Sequence, residues 1–355
     1  MTSPAPALSV LDLVPVRTNQ STGDAVNASR SLARVADQTG YRRYWVAEHH
    51  NMPAVAATNP PVMIALLAAA TERIRVGSGG VMLPNHAPLV VAEQFALLEA
   101  TFPGRIDLGI GRAPGTDPVT SFALRHGAGG VGEDAVERFP EYVENIVAMM
   151  DEGGVGLSVA GRTHELRATP HSTSTAPVWL LGSSDYSARL AARLGLPYVF
   201  AHHFSGHGTA EALELYRTTY RPSPEHPEPR TFLTVNASVA QTTEQAERLA
   251  LPQLHAMVTL RTGGQLRPQL LVEEAEAIGF PDAHLALVNG MRGRWVIADP
   301  ATAAEQITAL AEEFGVDEVM VHPVAGAHTD DPVDAATTRE TTLRLLAEAL
   351  GTIST

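Results

Sequence analysis

Residues 74–112 limit the fold more than any other stretch, because they read as strand, turn, helix, turn, strand. Ile74, Val76 and the run Val81-Met82-Leu83 form a buried strand interrupted by glycines. Pro84 and Pro88 bracket a turn and open a helix. Leu89, Ala92, Phe95, Ala96 and Leu98 recur at helical spacing, with no Gly or Pro up to Ala100. Phe102-Pro103-Gly104 stops the helix, and Ile106, Leu108 and Ile110 alternate as a second strand ending on Gly111-Arg112. Both strands finish in small residues followed by a polar group. That is the pattern expected where a barrel opens onto a ligand.

The same unit recurs along the chain. Strands are expected at Leu8–Val16, Tyr44–Glu48, Val178–Leu181, Pro197–Ala201, Thr231–Ala240 and Glu318–Val321, besides the two above. Helices are expected at Asp24–Gly40, Pro61–Thr71, Glu133–Asp151, Ser184–Gly195, Thr209–Tyr220 and Ala335–Leu350. A further one runs Asp299–Phe314, with Asp299 as N-cap and Pro300 at the first helical position. Residues 154–168 read as a small hairpin insertion, 243–290 as mostly helical with a break at Gly263-Gly264, and 113–132 as a long active-site loop. Eight βα units within 355 residues favour a closed (β/α)8 barrel, with insertions in the loops at the carboxyl ends of the strands, as one domain over residues 1–355. A doubly wound open sheet is the alternative. It usually carries G-x-G-x-x-G after its first strand, and here that strand is followed by RTNQSTGD.

Composition removes several functions. The chain has 25 basic and 39 acidic residues, a net charge of −14, which argues against non-specific binding to nucleic acid or anionic membrane. It has no cysteine, so disulfides, thiol catalysis and thiolate metal sites are excluded. The start, MTSPAPALSV, lacks a basic n-region and a signal-length apolar core, and no apolar run approaches the roughly 18 residues of a spanning helix. A cytoplasmic protein is the default expectation. Aromatic residues make up only 5%, so Ala, Val and Leu must build the core.

Few side chains stand where barrel chemistry happens. Glu48-His49-His50 closes the second strand, and alternation gives the inner face of Trp45 and Ala47 to His49 alone. A metal site would need a second ligand pair at fixed spacing, such as HExxH, and there is none. His49 would otherwise be structural, capping the following loop. Gly79-Gly80 suits a β-bulge or tight bend. Arg112 offers forked donors to a phosphate, or simply pairs with one of the many acids. The turn Leu181-Gly182-Ser183-Ser184, with Ser187 one turn on, enters a helix where free N–H groups and hydroxyls converge on an anion. By itself it is an ordinary N-cap; together with Arg112 on the neighbouring strand, a phosphate cradle is the better reading. His202, His203 and His322 are further candidates for the mouth, with a structural role the simpler expectation.

From Gly40 to Arg112 the order EHH, NP, VGxxxxxLPxxxP, AEQxxxLE, GRxxxGxGR resembles the bacterial luciferase-like flavin monooxygenases. The resemblance implies a TIM barrel using reduced FMN and O2 to oxygenate a small organic substrate, with His49 beside the flavin ring exchanging protons with a flavin–oxygen adduct. It implies a non-prolyl cis peptide at Gly79-Gly80 under the ring. Arg112, Gly182, Ser183, Ser184 and Ser187 would bind the FMN phosphate, with Leu181 also against the cofactor. It further implies a homodimer through helices next to the second and third strands, where Ile64–Ala70 is Ala-rich. No nicotinamide fingerprint is present, so reduced flavin is expected from a separate NAD(P)H:flavin reductase. The chain departs from luciferase in having Gly111 where luciferase has a reactive thiol, and Asp117 one residue out of register with its active-site aspartate. Light emission from a long-chain aldehyde is therefore not expected. A deazaflavin-dependent dehydrogenase and a non-catalytic flavin-binding protein are the alternatives.

Overall fold

The computed structural model describes residues 5–113, 118–126 and 133–352. Its strands are β1 (Ala7–Asp12), β2 (Arg43–Val46), β3 (Arg75–Ser78), β4 (Val81–Met82), β5 (Ile106–Gly111), β6 (Val155–Val159), β7 (Arg162–Leu166), β8 (Val178–Gly182), β9 (Tyr198–Phe200), β10 (Thr231–Val239), β11 (Val296–Ala298) and β12 (Glu318–Pro323). The ring β1-β2-β3-β5-β8-β9-β10-β12 returns to β1, giving eight strands. Every pairing around it is parallel. Helices lie between successive ring strands, because parallel neighbours need a crossover and the crossover covers the outer face. The sheet is thus a closed (β/α)8 barrel, as the repeated units predict.

Alternation sorts the side chains. Val10, Tyr44, Val76, Leu108 and Leu180 belong to the large core between strands and helices. Leu11, Trp45, Trp179, Val199, Phe232 and Met320 form a separate cluster that fills the barrel. Its three largest rings meet at angles, with Trp45 5.7 Å from Trp179 and 5.2 Å from Phe232. Gly77 in β3 is what lets Trp45 lie flat. A Cβ there would stand 2.7 Å from the indole Nε1, which instead donates to Asp107 Oδ2 at 3.0 Å.

Beneath the rings, at the amino ends of the strands, lies a paired charge cluster. Buried Arg43 donates to Glu318 Oε1 at 2.7 Å and to Asp107 Oδ2 at 2.9 Å, and Arg75 meets the other oxygen of Asp107 at 2.7 Å. The Arg43 guanidinium also sits 4.8 Å from the Trp179 ring centre. A cavity of about 420 Å³ opens here beside Arg42, Arg75, Thr175 and Arg230, at the end opposite to where barrel enzymes bind their ligands.

Local departures from the sequence reading have simple causes. The first strand ends at Asp12, and Val14 takes φ 51°, so the chain leaves the sheet before Val16. The third strand divides into β3 and β4 around Gly79-Gly80, and both halves pair with β5. Part of the expected loop 113–132 is a helix, Pro118–His126, while 114–117 and 127–132 fall outside the described residues. The helix expected over Glu133–Asp151 is a short 3-10 turn, Glu133–Val136, and a helix, Phe139–Met150, with Pro140 in its first turn. The helical region after residue 243 holds three helices, Thr243–Arg261, Val272–Ile278 and Asp282–Arg292. It is followed by β11, which the sequence reading missed because three residues are too few to show a period. The hairpin β6–β7 and the Asp299 cap, whose Oδ1 accepts from the Thr302 N–H at 3.1 Å, are where the sequence places them.

Candidate functional site

The carboxyl ends of the strands carry a different chemistry from the amino ends. Past β2 the chain keeps alternating, so Trp45 lies inside the barrel and Glu48 is fully buried behind the wall. Glu48 Oε1 accepts from His50 Nε2 and from His86 Nε2, each at 2.7 Å, while Oε2 accepts from the Met82 N–H at 2.9 Å. Burial opposes its charge, but these donors hold its carboxyl down at about 2. The three groups bring a potential metal-ligand set together, with ligand atoms within 4.8 Å of one another. Both nitrogens contact a single oxygen at hydrogen-bond length, so the arrangement is a donor–acceptor network. It ties the end of β2 to β4 and to the turn before the helix Pro88–Thr101. Spacing could not show this, since His86 comes 36 residues after His50.

His49 is the residue left for the mouth. Its backbone N–H is held by Ala57 O at 3.0 Å, and its Nδ1 is buried with no hydrogen-bond partner. Burial pushes its pKa below the usual imidazole value, against the pull of the Glu48 carboxylate. A buried unpaired ring nitrogen is costly and calls for a bound partner.

The Gly79-Gly80 peptide is cis, as the family resemblance implies. The space around it is full on the protein side. A Cβ on Gly80 would lie 2.5 Å from Leu181 Cδ1 and 2.8 Å from Gly109 O. Leu181, near the end of β8, thus packs directly against this bare backbone.

Arg112 and the Gly182–Ser187 turn are brought together. The Arg112 guanidinium lies 3.9 Å from the ring centre of Tyr186, in the first turn of the helix Asp185–Leu194. Among the described residues no carboxylate lies within ion-pair distance of Arg112. Ser183 and Ser184 are exposed, and Ser184 caps the helix without using its side chain. Ser187 is buried, with its Oγ 2.5 Å from where a Cβ on Gly182 would be. Tyr186, which orients the arginine, was not singled out from the sequence, because an aromatic in a first helical turn carries no signal of its own.

The other half of the mouth comes from β9, β10 and β12. His203 Nδ1 lies 2.9 Å from Thr234 Oγ1, and His322 Nδ1 lies 2.8 Å from Asn236 Oδ1. The two rings meet edge to face, 6.2 Å apart. His202 turns away to Thr209 Oγ1 at 2.8 Å. Asp117 lies outside the described residues.

The family described as “Luciferase-like monooxygenase” matches residues 8–318 of this chain. The chain is similar to the “Luciferase-like monooxygenase” of Escherichia coli (strain K12), 40% identical over 324 residues, 91% of this chain and 92% of that protein. Among solved structures it is similar to apo-MsnO8, with 34% identity, a TM-score of 0.84 and 98% of each chain covered. The oxygenating constituent of 3,6-diketocamphane monooxygenase from Pseudomonas putida, solved with FMN, shares the fold at 20% identity and a TM-score of 0.69 over 98% of each chain. An F420-dependent secondary alcohol dehydrogenase does so at 14% and 0.66, covering 99% of this chain and 100% of that one.

Proposed function

Because the chain belongs to the luciferase-like monooxygenase family, we propose that it oxygenates a small organic substrate with O2 and reduced FMN, the latter supplied by a separate NAD(P)H:flavin reductase. The observation that carries this is the placement of two complementary sites on neighbouring strand ends. One is the side-chain-free backbone of Gly79 and Gly80 with Leu181 packed against it, and the other is an arginine that has no carboxylate beside it among the described residues and lies against a helix amino end. A flat ring with a phosphate tail fits the pair. Arg112 and the N–H groups and hydroxyls of Gly182, Ser183 and Ser184 would hold the phosphate, with Ser187 shaping the turn from below. Bound reduced FMN would supply the two electrons that activate O2. His49, neutral near pH 7 and unpaired at Nδ1, holds or moves one proton at that atom. Glu48, His50 and His86 keep the segment that bears it in place.

Two further features support the two-component scheme and a homodimer. The net charge of −14 has the same sign as NAD(P)H, so the surface gives the nicotinamide no electrostatic capture. The neighbouring helices Pro60–Ala68 and Pro88–Thr101 expose Val62, Leu66, Val90 and Leu97, an apolar face that suits a second copy of the chain. Among the described residues no helix is long and apolar enough to cross a membrane. The test is titration with FMN, reduced FMN and a deazaflavin, followed by anaerobic mixing of the FMN complex with NADH. FMN binding, with bleaching only after a reductase is added, is expected. Tight deazaflavin binding with no affinity for FMN overturns the cofactor, and rapid bleaching by NADH alone overturns the separate reductase.

A further inference from the structure

His203 and His322 face the mouth, each with Nδ1 in a hydrogen bond to a side chain of β10. Asn236 Nδ2 donates to His203 O at 2.7 Å, so the oxygen of that amide is the end that meets His322 Nδ1. A carbonyl oxygen only accepts, and His322 therefore carries its proton on Nδ1. Thr234 Oγ1 has one proton to give and two acceptors in reach, Phe200 O at 3.2 Å and His203 Nδ1 at 2.9 Å, while it accepts from the His203 backbone N–H at 3.4 Å. His203 matches His322, with its proton on Nδ1, when that hydroxyl proton goes to Phe200 O. Burial opposes a second proton on either ring, lowering His203 to about 4 and His322 to about 3. Each ring also disfavours charge on the other. In that arrangement both Nε2 atoms are lone pairs, with no hydrogen-bond partner among the described residues.

We propose that His203, like His322, holds its proton on Nδ1 and that the two form a paired acceptor site that selects, as the molecule to be oxygenated, a neutral compound presenting an O–H or N–H donor, a phenol-type hydroxyl being the simplest case. This rests on reading the mouth as the substrate pocket. Two fixed acceptors reward a donor and leave its absence uncompensated, since an ether or ketone would set lone pair against lone pair. A carboxylate meets the same opposition with a full charge. Asn236 and Thr234 are positioning residues here, because they choose the tautomer and do not touch the ligand.

The test is 15N NMR of protein labelled at histidine, at pH 7, with and without FMN, titrated with phenol, anisole and benzoate. The expected result is two rings protonated at Nδ1 only, with both Nε2 signals moving on addition of phenol and not of anisole. Phenol should bind about tenfold more tightly than anisole, the worth of one hydrogen bond. H203F and H322F should each lose the phenol preference while keeping their FMN affinity, and N236D should move the His322 proton balance without contacting the ligand. A proton on either Nε2 at pH 7, or equal response to phenol, anisole and benzoate, overturns the acceptor site. Failure of the wild-type protein to bind FMN counts instead against the flavin reading and leaves the NMR outcome readable, because the titration is also done without flavin.

Discussion

The two ends of the barrel treat their polar side chains in opposite ways. At the amino end Arg43, Arg75, Asp107 and Glu318 pair among themselves. At the carboxyl end His49 keeps an unpaired Nδ1, and among the described residues His203 and His322 have no partner at Nε2 and Arg112 meets a ring and no carboxylate. A paired polar group costs little and holds the structure. An unpaired one is costly unless a ligand completes it. The difference separates what folds the barrel from what works in it, although the cavity noted above lies at the folded, not the working, end.

The comparison breaks most visibly at Arg43. Arg43→Ala leaves Asp107 and Glu318 buried and partly unpaired, and should cost about 3–5 kcal/mol of stability. Denaturant unfolding measures it, and FMN affinity of the folded fraction should not change. Loss of affinity without loss of stability would reverse the roles of the two ends.

His49→Ala should do the converse. Turnover should fall by about 10²-fold, the lower range for a positioned proton donor or acceptor, with flavin binding nearly intact. Equal activity in variant and wild type would return His49 to a structural role.

Arg112→Ala should weaken FMN binding by about 1.5–3 kcal/mol, the usual scale for charge-assisted hydrogen bonds. The unfolding temperature without flavin should move little. Calorimetric titration showing unchanged affinity would remove the phosphate assignment.

The smallest effect is a slope. His203 and His322 are held below the imidazole value of 6.5, at about 4 and about 3, so the unfolded chain binds more protons than the folded one between those values. Their contribution to stability is complete above pH 6.5 and is lost as pH falls toward 4. Each unit of pH costs up to ~1.4 kcal/mol per group across that window. Glu48, held at about 2 against an ordinary 4.5, adds a loss of the same sign at lower pH. Urea unfolding of wild type and H322F between pH 7 and 5 should show a flatter slope in the variant, and parallel slopes would mean that His322 is not held neutral.

Periodicity made the barrel legible. Eight apolar strands, eight helices and the cap at Asp299 are stated by local spacing, because strand and helix repeat at 2 and 3.6 residues and caps are chemistry within one turn. The family motifs also marked the Gly79-Gly80 peptide and the inward His49. β11 and the helix Pro118–His126 escaped, since each is short and is set by what packs beside it.

What only the tertiary structure decided is which polar groups are paired. Glu48 meets His86, Arg43 meets Glu318, and Asn236 meets His322, over separations of 38, 275 and 86 residues. No local period encodes such contacts. They arise when the ring of strands closes and brings Glu318 in β12 beside Arg43 at the foot of the barrel and Asn236 in β10 beside His322 at its mouth. The sequence by itself determined a barrel with histidines and an arginine at its rim. Closure determined which of them are satisfied by the protein and which are left for a ligand, because pairing depends on distance in space and on burial, and neither is a property of the chain's order alone.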